Sequence, residues 1–175
     1  MGDATDGPKV ETYRLADDGT VPNNALPLVL YRGALKADGD RAAACERMFE
    51  RNGWPGAWRN GIYGHHHYHS TAHEVLGIAA GSARVRLGGE GGQTVELQVG
   101  DVVVIPAGVA HKCESASPDL LVIGSYPRGQ SPDHCRAEPG VHDGAVGRIA
   151  RVPLPAADPV TGGAGPLLEC WRGTR

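Results

Sequence analysis

The stretch GIYGHHHYHSTAHEVLGIAAG, residues Gly61–Gly81, is the most informative part of the sequence for fold and function, because it concentrates side chains that bind metal ions. Five of the eight histidines of the chain and one glutamate lie within it, namely His65, His66, His67, His69, His73 and Glu74. Neutral imidazole is the commonest metal ligand in proteins. A carboxylate beside imidazoles suits manganese, iron, nickel, copper or zinc. The stretch therefore predicts a metal site.

The spacing within the stretch indicates which side chains converge. Side chains alternate between the two faces of a strand, so His67 and His69 are predicted to share a face while Tyr68 points the other way. Residues 70–72 (Ser-Thr-Ala) are typical of a tight turn. A returning strand would then start at Glu74, and we expect one hairpin to donate three ligands. A fourth is predicted at His111, from the stretch GDVVVIPAGVAH of residues 100–111.

Two motifs can be written from these residues. The first is Gly, five residues, His-x-His, four residues, Glu, six residues, Gly, and it is met by Gly61, His67, His69, Glu74 and Gly81. The second is Gly, five residues, Pro-x-Gly, two residues, His, and it is met by Gly100, Pro106, Gly108 and His111. Both resemble the motifs of the cupin superfamily, and they span about a third of the chain. The flanking sequence, including VPLPAADPVTGGAGPL, resembles small bacterial cupins of the YjlB-like type.

The resemblance implies an all-β, RmlC-like jelly-roll β-barrel and a divalent transition metal (Fe, Mn, Ni, Zn or Cu) held by His67, His69, Glu74 and His111. The second motif often ends in Asn, where this chain has Ser115, but that position is not a ligand in the family. The implied function is a metal-dependent enzyme of dioxygenase or isomerase type that acts on a small polar molecule. The alternative is a non-catalytic cupin that binds or stores a small ligand or a metal. A homodimer is expected from the resemblance alone.

The composition favours a single domain and disfavours several partners. A chain of 175 residues is long enough to bury one sizeable core. The net charge of −3 argues against nucleic acid, because phosphate contacts need clustered Lys and Arg. No apolar run is long enough to span a membrane. The polar start lacks the features of a signal peptide, and the four cysteines form no CxxC motif, so we expect a cytoplasmic protein with reduced thiols.

The chain is expected to divide into three parts of one cupin domain. Residues 1–57 are predicted to form an N-terminal arm, a short strand at 25–33 and one helix, started by Asp38 or Asp40 and ended by Gly53. Residues 58–127 are predicted to hold the core barrel, as short strands separated by turn signals. The Pro- and Gly-rich residues 128–175 are expected to wrap the barrel, or a dimer partner, as an extended strap.

Several other residues compete for roles at the site. His73 lies beside Glu74 and could replace it as a ligand, but alternation predicts that it faces outward. Tyr63, His65 and Cys113 are predicted substrate contacts, each with an ordinary packing or solvated role as the alternative. Trp58 and Arg59 precede the ligand strand and are open to the same two interpretations. The remaining inward positions are predicted to be apolar, which keeps the binding-only alternative open: Leu76, Ile78, Val85, Leu87, Val103 and Ile105.

Overall fold

The fold is described by a computed structural model that covers residues 7–36 and 38–174. Its strands are β1 (Lys9–Leu15), β2 (Asn24–Arg32), β3 (Trp58–Asn60), β4 (His67–Tyr68), β5 (Glu74–Ala80), β6 (Ser82–Leu87), β7 (Gln93–Gln98), β8 (Val102–Ile105), β9 (His111–Ala116), β10 (Leu121–Ser125) and β11 (Cys135–Arg136). Its helices are α1 (Arg41–Arg51), α2 (His142–Ile149) and α3 (Pro166–Arg172).

The strands form two antiparallel sheets, which confirms the all-β jelly-roll prediction. The six-stranded sheet has the order β1-β2-β8-β5-β10-β3, and the five-stranded sheet has the order β11-β4-β9-β6-β7. Strands β1 and β2 precede residue 58, so the sheet extends beyond the predicted core of residues 58–127. The predicted strand at 25–33 corresponds to β2, and the predicted N-terminal arm pairs at the sheet edge through β1. The part of that arm at residues 1–6 lies outside the described residues.

The space between the two sheets is filled by apolar side chains. Strands β6 and β7 alternate buried and exposed residues, as expected for strands that face a core on one side and solvent on the other. Side chains from both sheets meet there, including the predicted inward positions Leu76, Ile78, Val85, Leu87, Val103 and Ile105. The expectation of an apolar interior beyond the ligands is therefore confirmed for these positions.

The six-stranded sheet is buried on its second face as well. Helices α1 and α3 cover it, and Phe49 and Trp171 are both fully buried there. This explains why β8 reads Val-Val-Val-Ile without alternation. Helix α1 lies very close to β5: a Cβ atom added at Gly77 in β5 would lie only 2.5 Å from the sulfur of Cys45 in α1. Only glycine allows that approach.

Helix α1 begins and ends as its sequence predicts. The Asp40 side chain accepts a hydrogen bond from the Ala43 amide at 3.0 Å, so Asp40 rather than Asp38 is the N-cap. The helix ends at Arg51, and Gly53 follows with φ of +82°, a conformation that favours glycine. Its buried residues are Ala42, Cys45 and Phe49.

The C-terminal segment is more regular than the predicted extended strap. It contains β11 and two short helices, α2 and α3, besides extended stretches. Tertiary contacts stabilise α3: the Trp171 indole donates to the carbonyl of Pro27 at 2.8 Å, and the Leu167 amide donates to the hydroxyl of Tyr31 at 3.1 Å. Short helices of modest propensity depend on such packing, so the sequence pattern alone did not reveal them.

Two further observations concern the cysteines and the helices. The four cysteines, Cys45, Cys113, Cys135 and Cys170, are all free thiols. Among residues 7–36 and 38–174, no helix has the length and apolar character needed to cross a membrane.

Candidate metal centre

The predicted ligands come together at the point where the chain passes from one sheet to the other. His67 in β4 pairs directly with His111 in β9, within the five-stranded sheet. Glu74 is the first residue of β5, in the six-stranded sheet, where it pairs with Ile105. His69 lies in the connection between β4 and β5. The prediction of one hairpin is therefore wrong, because residues 69–73 cross between sheets and bring ligands from both of them together.

The strand around the histidines is also shorter than predicted. Only His67 and Tyr68 pair as a strand, whereas His69 was predicted to lie in the same strand as His67. The sequence 70–72 is compatible with both a hairpin turn and a crossover, since its hydroxyls can bond locally in either. The ligands still face one another, because the two sheets pack face to face.

The distances at the centre are those of a compact ligand set. One ligand atom from each of His67, His69 and His111 lies within 4.8 Å of the other two. The Glu74 carboxylate contacts two of these rings: Oε2 lies 3.0 Å from Nε2 of His69, and Oε1 lies 3.1 Å from Nε2 of His111. Ligands at right angles around a metal, each about 2.1 Å from it, are separated by roughly 3 Å. Both contacts match that separation.

Backbone carbonyls fix the orientation of all three rings. Nδ1 of His67 lies 3.2 Å from the carbonyl of His65, and Nδ1 of His111 lies 3.1 Å from that of Val109. Nδ1 of His69 contacts the carbonyl of Asp133. A carbonyl oxygen only accepts, so each Nδ1 must carry the proton. In the neutral rings, Nε2 is then left with a lone pair directed at the site, which is the usual arrangement of histidine ligands.

This arrangement needs a positive charge. Glu74 is 3% exposed, and its two oxygens face Nε2 atoms that carry lone pairs when the rings are neutral. Burying a carboxylate against lone pairs is strongly unfavourable unless a cation or extra protons compensate it. A divalent metal would satisfy the carboxylate and the Nε2 atoms at once. The residues present therefore fit a metal.

The pKa values reflect this local electrostatics in the metal-free protein. Burial lowers the pKa of His67 to about 3, and the neighbouring His111 acts in the same direction. Burial acts to raise the pKa of Glu74, but hydrogen bonds from His111 and His69 outweigh it and hold that pKa well below its usual range. Burial acts to lower the pKa of His69, but the hydrogen bond to Glu74 outweighs it and raises that pKa. The raised pKa of His69 therefore favours a proton on that ring beside Glu74 when no metal is bound.

The centre opens into a cavity of about 460 Å³. Its walls include Tyr126 and Trp58, whose indole Nε1 donates to the Tyr126 hydroxyl at 3.1 Å. Burial and the negative charge of Glu74 raise the pKa of Tyr126, so its hydroxyl stays protonated. Trp58 lies directly over Gly124, where an added Cβ would be 2.0 Å from the ring. Arg59 also lines the cavity, and its guanidinium pairs with Glu46 at 2.7 Å.

A group of aromatic rings lies at the cavity mouth. Tyr63 is 57% exposed and lines the cavity, as does His134. Nε2 of His65 lies 3.2 Å from Nε2 of His134, so His65 lies next to the mouth although it does not line the cavity itself. The His134 ring stacks on His67, with ring centres 5.3 Å apart and planes 12° from parallel. This places the predicted contacts Tyr63 and His65 beside the centre.

Two predicted neighbours of the site lie elsewhere. Cys113 is absent from the residues that line the cavity; it packs against the apolar interior, and its thiol donates to the Ser115 carbonyl at 3.4 Å. His73 does point away from Glu74, but it is fully buried rather than solvent-facing. Its Nδ1 accepts from the Ala107 amide at 2.9 Å, and its ring packs on Trp171 at 4.7 Å. Helices cover the outer face of the six-stranded sheet, so a side chain that points away from the metal centre on this sheet is still buried.

Three residues of the centre were missed from the sequence. Tyr126, Asp133 and His134 come from the end of β10 and the segment after it, and all three line the cavity. Neither motif contains them. The only signal was composition, since a histidine and an aspartate stand together in an otherwise Pro- and Gly-rich stretch.

Comparison with known proteins agrees with this architecture. Residues 55–123 match the model of a cupin domain. The chain is 44% identical over 164 residues to the uncharacterized protein YjlB of Bacillus subtilis (strain 168), covering 93% of this chain and 97% of that protein. The chain is a cupin of the YjlB-like family.

Solved structures similar to this cupin share less of its sequence. A double-stranded β-helix protein from Klebsiella pneumoniae is 13% identical, with a TM-score of 0.38, over 79% of this chain and 85% of that one. Acireductone dioxygenase from Bacillus anthracis, solved with cadmium in its active centre, is 15% identical, with a TM-score of 0.39, over 71% of this chain and 81% of that one.

Proposed function

We propose that this cupin binds a divalent transition metal through His67, His69, His111 and Glu74 and uses it to transform a small polar molecule, as a dioxygenase or an isomerase. The observation that carries the proposal is the pair of contacts of about 3 Å between Glu74 and two imidazole nitrogens whose lone pairs point at it. A metal explains this geometry with one ion. Protons alone would require two charged imidazoles side by side in a buried site.

A metal held there would supply either a redox centre for oxygen chemistry, if it is Fe, Mn, Ni or Cu, or a Lewis acid, if it is Zn or Mn. Three imidazoles and one carboxylate leave positions open on an octahedral ion, and these positions would face the cavity. A substrate that enters the cavity therefore meets the centre and the aromatic walls together.

The cavity walls support an enzyme over a simple binder. A catalytic site needs a proton donor or acceptor besides the ligands, and the Tyr126 hydroxyl supplies one. It is held by the Trp58 indole, remains protonated because of its raised pKa, and lies near Glu74. It is thus placed to donate a hydrogen bond to an oxygen atom of a bound molecule. Its ring also packs edge-on against His69, with centres 5.7 Å apart.

The alternative is a non-catalytic cupin that binds or stores a small ligand or a metal. The apolar interior favours it, because the side chains deeper between the sheets, such as Leu76 and Ile105, offer no polar groups to a reaction. The two functions agree on the metal site and differ only in turnover.

Oxygen consumption separates the two. Untagged protein loaded with Fe(II) would be given a panel of diketones, thiols and sugars in an oxygen electrode, with the His111→Ala variant as the matched control. We expect substrate-dependent oxygen uptake, or isomerised product by NMR, in the wild type alone. Tight ligand binding without turnover, across the panel and with every metal, would favour the binding module instead.

A further inference from the structure

Residues 130–135 are the part of the C-terminal segment that lies against the metal centre. They fall outside residues 55–123, which match the cupin domain, and outside both sequence motifs. They nevertheless contact the crossover of residues 69–73 through a series of hydrogen bonds. We call residues 130–135 the latch.

Asp133 is at the centre of the latch. Its Oδ1 accepts from the Ser70 amide at 2.6 Å, and its Oδ2 accepts from the Ser70 hydroxyl. Its own amide donates to the Thr71 hydroxyl at 2.9 Å, which in turn donates to the carbonyl of Ser131 at 2.7 Å. Arg148 from α2 reinforces the contact, because its Nε donates to the Ser70 hydroxyl at 2.7 Å and lies 3.6 Å from the Asp133 carboxylate.

The same segment touches two of the three imidazoles. The Asp133 carbonyl accepts the Nδ1 proton of His69, and the neighbouring His134 stacks on His67. His69 depends on the latch more than the other two rings do. The carbonyls that orient His67 and His111 come from residues two positions earlier in the chain, whereas the one that orients His69 comes from 64 residues later.

We propose that Asp133 is a positioning residue for the metal centre: its carboxylate fastens the latch to Ser70, and its carbonyl thereby holds the His69 ring with Nε2 aimed at the metal. The inference rests on the metal site proposed above. It implies that the two cupin motifs are insufficient for this site and that the C-terminal segment completes it.

The physical reasoning concerns orientation rather than direct contact. Groups that hydrogen-bond to ligating histidines fix the tautomer and the ring angle, and removing them typically weakens metal binding by about 10- to 100-fold. In the Asp133→Ala variant the carbonyl remains, but the two side-chain hydrogen bonds that locate it are lost. The His69 ring would then sample other angles, and its Nε2 would spend less time in coordinating position.

Cobalt binding to the full-length, untagged protein tests this. We expect Asp133→Ala to weaken Co²⁺ affinity by about 10- to 100-fold and to change the visible absorption of the bound ion, which reports ligand geometry. Asp133→Asn keeps an oxygen that can accept from the Ser70 amide, so it should recover most of the affinity and the wild-type spectrum. Glu138→Ala removes a carboxylate from an exposed position just after the latch and should match the wild type.

Two further measurements apply if the Asp133→Ala variant does not fold or if the wild type binds no cobalt. If Asp133→Ala does not fold, Thr71→Val takes its place, since it removes two latch hydrogen bonds without changing charge or shape. If the wild type binds no cobalt, the proposed function fails, and the latch is judged by NMR on the metal-free protein. The Nδ1 proton of His69 should then exchange slowly in the wild type and rapidly in the variant.

Two results would overturn the inference. One is equal affinity and an equal spectrum for Asp133→Ala and Glu138→Ala in folded protein. The other is unchanged exchange of the His69 ring proton when the latch contacts are removed.

Discussion

Replacing His67 with Gln should change how the stability of the metal-free protein depends on pH. His67 is 4% exposed, and its pKa in the folded protein is lowered to about 3. In the unfolded chain its pKa returns to about 6.5. Between these values the unfolded chain binds a proton that the folded protein does not bind. Stability is therefore lost as the pH falls below 6.5.

The size of the effect follows from the two pKa values. Each pH unit within that window costs about 1.4 kcal/mol. Between pH 7.5 and pH 5.0 the window covers about 1.5 units, so His67 lowers the free energy of unfolding of the wild type by about 2 kcal/mol. Glutamine has no charge to gain, so the variant lacks this loss. As the pH falls from 7.5 to 5.0, the free energy of unfolding of His67→Gln should therefore rise by about 2 kcal/mol relative to that of the wild type.

Urea unfolding at pH 7.5 and 5.0, in the presence of a chelator, measures both proteins. Any constant cost of the substitution cancels, because only the change between the two pH values is compared. His142→Gln is a control in which the effect has the opposite sign. Asp143 and Asp17 raise the pKa of His142 in the folded protein. The stabilisation that His142 contributes is therefore present at low pH and lost as the pH rises. A wild-type-to-His67→Gln difference that is the same at both pH values would refute the reasoning.

Four further predictions concern the site. Metal occupancy should fall between pH 8 and pH 5, measured by equilibrium dialysis, because protons compete for the imidazole nitrogens. His111→Ala should lose metal by elemental analysis while still unfolding cooperatively, since the apolar packing between the sheets remains. Tyr126→Phe should leave metal affinity unchanged but reduce turnover about tenfold, the value of one hydrogen bond of about 1.4 kcal/mol. Gly124→Ala should displace Trp58, shift its fluorescence and cost about 1–3 kcal/mol in denaturant unfolding.

Each of these four has an outcome that contradicts it. Occupancy that is constant across the pH range would mean that the ligands are not imidazoles. Global unfolding of His111→Ala would mean that the metal, or its ring, is needed for the fold. Unchanged turnover in Tyr126→Phe would show that the hydroxyl takes no part in the reaction. Unchanged Trp58 fluorescence in Gly124→Ala would contradict the close contact between Gly124 and the Trp58 ring.

The strands were largely predictable because their signals are local. Alternation of apolar and polar side chains marked β6 and β7, and a continuous apolar run marked β8. The two motifs named His67, His69, Glu74 and His111, and the structure brings these four together. The hairpin inferred from their spacing was nevertheless wrong, because His67 and Glu74 lie in different sheets. The four residues converge because the two sheets pack face to face.

The missed features depend on contacts between distant parts of the chain. Residues 70–72 read equally well as a turn or a crossover, and only the pairing of β4 with β9 decides between them. Helices α2 and α3 contain glycine and proline and depend on packing for their stability. Tyr126, Asp133 and His134 approach the centre from later in the sequence, and one sequence gives no information on which distant residues meet.

The measurement that tests the central claim most directly is the metal content of untagged protein, combined with X-ray absorption of the bound ion. The proposal predicts about one equivalent of a transition metal with three nitrogen ligands and one carboxylate oxygen at distances near 2.1 Å. It also predicts loss of that metal in His111→Ala. Protein that retains no transition metal after loading, or that retains it equally without His111, would contradict it.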